Sequence, residues 1–322
     1  RHREDIFAMA RTNPHDEKAH AAMLARRLPP RDNPFPEERL ATLDDLTFLP
    51  ANLTRLVIDP YREACRIDTE LGHGRFTMTA PFIATGFDDA PEQVRSAVAE
   101  GLRTGGCPYI GIRPISADVP WLQLVVPGQI APSADAVAQI HSLGYQFRPV
   151  EATRLSDDQL LGITVSSPDM LEEAIPFALE NGFDMLLLDG SRGLGAPWAE
   201  LAGEPDLTIL RDAITILRRL RREEEIDLVY FGGVRSGTDT AKLIALGGMA
   251  VILGVVLGLA AGGEINGNHE MQFVTDRTDA ERAESIANIL NASAQEASMM
   301  ARCTGKTNLH NVEPEDLRAI SK

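Results

Sequence analysis

From Phe82 onward the chain repeats one unit, a short apolar run followed by a polar or helix-patterned connection. The runs are FIATG (82–86), YIGIR (109–113), LQLVV (122–126), YQFRPV (145–150), LGITV (161–165), MLLLD (185–189), LVYFGG (228–233) and AVILG (250–254). Most are continuous rather than alternating, as expected of strands covered on both faces. Parallel strands need crossovers between them, which limits the architectures open to such a chain.

Several connections carry helix patterns. APEQVRSAVAEGLRTGG places Val94, Ala97, Val98 and Leu102 on one face and ends in glycine. Ser167-Pro168 starts DMLEEAIPFALENG, with Gly182 at its end. Pro176 inside that pattern predicts a kink or a second start. DLTILRDAITILRRLRR is amphipathic and ends in arginines that suit a helix C-terminus. Eight strands with helices between them predict a (β/α)8 TIM barrel, of class α/β. A doubly wound open sheet is the runner-up, because GGVRSG is not the dinucleotide fingerprint. Only IRPISADVPW separates the second and third runs. That is too short for a helix, so either the barrel is irregular there or a strand is misplaced.

Residues 1–40 read as a polar N-terminal helical arm with a proline-rich loop, PPRDNPFP, at 29–36. It reads as an extension rather than core. Residues 41–322 form the barrel and a C-terminal helical tail. GEINGNHEMQFVTDRTD reads as an irregular loop, AERAESIANILNASAQEASMMARCTG as a long helix, and Pro314 as the start of a short one.

The formal net charge of -16 argues against nucleic acid and anionic membranes as general partners. Only Lys18, Lys242, Lys306 and Lys322 are lysines, so cations in a site are expected to be arginines. Three cysteines without metal-ligand spacing argue against a disulfide framework or a metal site and suit a reducing, cytoplasmic compartment. No apolar run approaches the roughly 20 residues that cross a bilayer. The chain begins at Arg1 rather than Met, which leaves an upstream targeting or anchoring piece open.

The strongest functional signal is YFGGVRSGTDTAKLIALGGMAVILG, residues 230–254. Barrels commonly bind phosphate at the loops after the seventh and eighth strands. Glycines there let the backbone approach an anion and point amides at it. Gly232, Gly233, Val234 and Arg235 form one tip, with Ser236 and Asp239 capping the helix that follows. Gly254 and Val255 form the other tip and open a short helix, VVLGLA. Tight turns alone are the bland alternative. Arg113, Arg148, Arg192 and Arg235 lie at or after strand ends, and their convergence would favour an anionic ligand. Asp88 and Asp89, after the first strand, are candidate general bases, a solvated loop being the alternative.

MLLLDGSRGLGAP with LVYFGGVRSGTDTAKLIALGGMAVILG resembles the FMN-binding domain of glutamate synthases. The tail ARCTGKTNLHNVEPEDL resembles that of archaeal-type and methylamine-using members, and LDDLTFLPANLTRLVIDPYREACRIDTELG their entry segment. The resemblance covers about residues 41–75 and 160–320. It implies a (β/α)8 barrel with FMN that reduces an imine formed from 2-oxoglutarate and ammonia or an amine. Gly232, Gly233, Arg235 and Gly254 would then hold the flavin phosphate, and Asp189 and Gly190 would line the pocket. The ammonia would come from another subunit, so hetero-oligomeric partners are expected.

The departures are specific. The glycine-rich loop under the flavin ring reads ATGFDDAPE (84–92), and the family's lysines are absent. The iron–sulfur cysteines of its bacterial members are absent too, which implies no iron–sulfur cluster. A cation would have to come from Arg113, Arg148 or Arg192. A flavin-linked reductive amination of a 2-oxo acid is the leading expectation, with a non-catalytic, degenerate barrel subunit as the alternative.

Overall fold

A computed structural model describes residues 2–13, 15–16, 18–19, 41–51, 62–273 and 276–320. Most of the expected N-terminal arm, including PPRDNPFP, and part of the entry segment lie outside the described residues. Eight parallel strands close into a barrel: β1 Phe82–Ala84, β2 Tyr109–Gly111, β3 Trp121–Val125, β4 Ala138–Ser142, β5 Leu160–Val165, β6 Met185–Asp189, β7 Asp227–Phe231 and β8 Ala250–Leu253. The circle shuts where β8 pairs with β1, Ile252 opposite Ile83.

Alternate residues of each strand face the barrel interior. Ile83, Ile110, Leu122, Leu124, Ile140, Leu187, Val229 and Ile252 form one apolar cluster there. A two-stranded hairpin, Thr69–Leu71 with Phe76–Met78, closes the N-terminal mouth. Its Leu71 and Met78 enter the interior cluster, and the Gly72 amide donates to Asp227 at the start of β7. His73 sits in that hairpin's turn at positive φ, as a turn residue rather than near the working face.

The helices are α1 His2–Arg11, α2 Glu92–Gly105, α3 Leu171–Glu180, α4 Thr208–Leu220, α5 Gly237–Ala245, α6 Val255–Ala260 and α7 Asp279–Cys303. Gly106 ends α2 in the left-handed conformation, and the Ser236 side chain caps α5. Pro168 opens a short 3-10 turn ahead of α3, and Pro176 lies inside α3. The long α7 packs on α2 and α5. In the tail, His310 Nε2 lies 2.9 Å from Thr69 Oγ1, tying the chain end to the bottom hairpin.

Three readings of the sequence need correction. First, the fourth strand is Ala138–Ser142, not 145–150. Among the described residues no helix follows β2, β3 or β4, so the barrel is irregular over 112–159 and one strand was also misplaced. Without helices outside, the outward residues of β3 and β4 include buried glutamines. Gln123 binds Ala131 O and the Ser133 amide, and Gln139 donates to Thr153 O and to Gln159. They satisfy the backbone of the covering loops, which apolar residues could not do. Second, α1 is not a loose extension, because Ile6, Met9 and Ala10 are buried in the main core beside α6 and α7. Third, GEINGNHEMQF contains a short hairpin, Gly263–Ile265 with Met271–Phe273.

Candidate functional site

The tips after β7 and β8 lie at the same corner of the barrel's C-terminal face. Gly232 and Gly233 have φ of 149° and 63°, and the second is a conformation few other residues adopt cheaply. Both glycines also need their lack of a side chain. A Cβ at Gly233 would stand 2.7 Å from Pro205, and one at Gly232 3.1 Å from the Tyr230 hydroxyl. Gly232, Gly233, Val234, Arg235 and Val255 line one cavity of about 260 Å³ with Ile6 of α1 and Glu200.

Glu200 was not anticipated. It belongs to the loop after β6, and its carboxylate is seated between the two tips. The Val255 amide donates to Oε2 at 2.6 Å, and a Cβ at Gly254 would lie 2.2 Å from the same oxygen. Desolvation raises the Glu200 pKa to about 7, against the pull of the Val255 and Gly233 amides, with the Asp189 charge adding to the rise. The two tips therefore meet at one carboxyl group, and that group is part of the chain. No local signal marks Glu200 in GAPWAEL.

The raised pKa has a sign that can be checked. The stability contributed by protonated Glu200 is fully present below its unfolded value near 4.5 and is lost as pH rises through about 7. Asp189 and Asp227 are also raised by burial and act in the same direction. The comparison with Glu200→Gln isolates the one group. Thermal unfolding followed from pH 5 to pH 8 is expected to show a steeper fall for the parent chain than for Glu200→Gln, by up to about 3 kcal/mol.

The expected cation is committed elsewhere. Arg235 forms ion pairs with Asp44 at 2.7 Å and Asp239 at 2.8 Å, which brace the first turn of α5 against residues 43–45. The four arginines have separate surroundings. Exposed Arg113 donates to the Asp88 carbonyl, exposed Arg192 pairs with Asp206, and Arg148 lines a separate cavity with Val126 and Tyr145.

Asp88 braces two strand ends. Its carboxylate accepts from the Ile112 amide at 2.8 Å and the Tyr109 hydroxyl at 3.2 Å, joining the ends of β1 and β2. Asp89 is exposed on the same loop. Asp189 turns inward, its Oδ2 accepting from the Leu194 amide. Among the described residues Asp189 Oδ1 and Ser191 Oγ have no hydrogen-bond partner. Gly190 must be small because a Cβ there would meet the Tyr230 hydroxyl at 2.5 Å.

The loop carrying Glu200 also covers the end of β1. Trp198, at positive φ, packs edge-on against Phe87 with ring centroids 5.1 Å apart. A Cβ at Gly86 would lie 2.9 Å from its ring, and one at Gly258 2.7 Å. One loop thus fills the corner with a carboxylate and roofs the first strand with an indole. Among the described residues no group of His, Cys, Asp and Glu could hold a metal ion, and no helix is long and apolar enough to cross a membrane.

This architecture, a closed eight-stranded parallel barrel with helices, is shared with solved structures of flavocytochrome b2 and mandelate oxidase. A flavocytochrome b2 mutant with benzoylformate aligns with a TM-score of 0.60 at 16% identity, over 87% of this chain and 77% of that one. A mandelate oxidase mutant with an FMN adduct aligns with a TM-score of 0.57 at 16% identity, over 86% and 88%. In sequence the chain is similar over part of its length to glutamate synthase-like proteins. It is 33% identical to the glutamate synthase large subunit-like protein of Rhizobium meliloti over 178 residues, 45% of this chain and 40% of that protein. It is 23% identical to the archaeal-type glutamate synthase [NADPH] of Thermotoga maritima over 203 residues, 60% of this chain and 38% of that protein. The chain thus spans about two fifths of these relatives. No family model matches it.

Proposed function

We propose that the chain is an FMN-linked oxidoreductase of the glutamate synthase type, acting on a 2-oxo acid with ammonia or an amine. One observation carries the reading: two glycine tips at the phosphate corner close on a single carboxylate, which stands in for a phosphate oxygen. The fit is local. The Gly233 and Val255 amides, with close approach over Gly254, would hold a phosphate once Glu200 has moved. Arg235 would serve by fixing the tip through Asp44 and Asp239 rather than by touching the ligand. The cavity of about 260 Å³ is smaller than the roughly 300–1,000 Å³ of sites that enclose whole cofactors. Loop 190–206 must therefore open to admit more than the phosphate end.

When bound, FMN supplies two-electron redox chemistry. The chain's own contribution would be to exclude water with Trp198, Phe87 and Phe273, whose rings lie within 6.1 Å of one another. Asp88 would hold the β1 and β2 ends in register, and no proton transfer is assigned to it. An ammonia-supplying partner subunit fits the absence of such a motif in the sequence.

A second reading, a non-catalytic barrel subunit, is favoured by the same loop: Glu200 already takes the Val255 amide and Trp198 covers the end of β1. Titration with FMN separates the two. Visible flavin absorption that follows the protein through gel filtration, bleaches with an electron donor and returns with an imino or keto acid supports the oxidoreductase. A colourless protein at saturating FMN supports the subunit.

A further inference from the structure

We propose that Glu200 is an internal gate on the anion cradle, so that a phosphate-bearing ligand binds only by displacing the chain's own carboxylate. The inference rests on the reading of the corner as an anion site, and it adds a regulator of that site that neither the sequence pattern nor the relatives assign.

The argument is one of exclusion. The Val255 amide has one direction of donation and gives it to Glu200 Oε2. Glu200 Oε2 lies so close to Gly254 that a Cβ there would stand 2.2 Å from it, so the carboxyl group takes the space beside this tip while it stays. In its ionised form Glu200 would also repel an incoming phosphate. Leaving those amides empty costs the desolvation of buried donors, which explains why the loop closes on them.

The gate has a defined hinge region. Gly195 is at positive φ and packs against Leu124, and Trp198 and Glu200 follow within five residues. Ala199 is buried between them. Withdrawal of Glu200 must therefore disturb Trp198, whose ring lies over Gly86 and against Phe87. Its emission reports the gate without any turnover. Trp121, the other tryptophan, is buried on β3 with its indole nitrogen donating to Gly111 O, away from this loop.

An occupied site lowers apparent affinity by the fraction of time it is open. If Glu200 holds the cradle nine-tenths of the time or more, its removal tightens binding about tenfold or more.

The test is calorimetric titration of the full chain with inorganic phosphate and, separately, with FMN, using the parent, Glu200→Ala and Glu200→Gln. The neutral glutamine keeps the shape and guards against a variant that fails to fold. The expected result is about a tenfold or greater gain in phosphate affinity for Glu200→Ala and a smaller gain for Glu200→Gln. Phosphate should also shift Trp198 emission in the parent. Equal phosphate affinity in all three proteins, or no phosphate binding by any of them, overturns the gate. The flavin reading fails separately. If Glu200→Ala binds phosphate more tightly and no protein binds FMN, the gate stands and the cofactor assignment does not. If FMN binds all three alike, the cofactor stands and the gate falls.

Discussion

Asp184→Ala is expected to cost about 1–3 kcal/mol, the range for leaving a buried hydrogen-bonding group without its partner. The Asp184 carboxylate is 5% exposed and holds three groups at the floor of the barrel. Arg75 of the bottom hairpin binds it at 2.7 Å, Arg154 at 2.9 Å, and the Leu161 amide on β5 donates to it at 2.7 Å. Alanine would leave the Leu161 amide buried without a partner and Arg154 without its counter-charge. It would also loosen the hairpin from the mouth it closes. Urea denaturation of the parent and Asp184→Ala measures the loss, and Asp184→Asn, which keeps the acceptor, should lose less. The site is at the opposite end of the barrel, so ligand affinity of the folded fraction should be unchanged. A loss below about 1 kcal/mol would show that the network is solvated rather than structural.

Gly237→Ala is expected to destabilise by about 3 kcal/mol, although alanine is normally favoured over glycine in a helix by about 1 kcal/mol. Contact geometry decides the sign. A Cβ at Gly237 would lie 1.9 Å from Ser293 O and 2.6 Å from Ala297 N, both backbone atoms of α7. Backbone cannot rotate away, so α7 must shift bodily. That shift would pull Glu296 from the start of α5, where it accepts from the Gly237 amide at 3.2 Å and the Thr238 hydroxyl at 2.6 Å. The first turn of α5 follows directly on Arg235 and the glycine tip. Phosphate affinity should therefore fall together with the melting temperature, unlike in the Asp184 variant. An alanine variant as stable as the parent would mean that the two helices are not in contact as described.

The two variants draw a line between what is local and what is not. The strands were legible where apolar residues face both ways, as in MLLLD and AVILG. The fourth strand was not. Gln139 and His141 point outward on it, and their polarity follows from loops, rather than a helix, lying outside. YQFRPV looked more like a strand because it is richer in aromatic and branched residues. The docking of α1 was also hidden, since Ile6, Met9 and Ala10 acquire their core role only through α6 and α7.

The site divides in the same way. The sequence determined the glycine tips, because a backbone that bends through positive φ or tolerates no Cβ must be written locally as glycine. It also determined the cap of α5 at Ser236, through a side chain three residues from its partner. Only the tertiary structure decided what those tips hold. Glu200 reaches Val255 across 55 residues, and Asp44 reaches Arg235 across 191. A carboxylate carries no mark of the amide it will meet, because that meeting is fixed by the closure of the barrel and not by its neighbours in the chain.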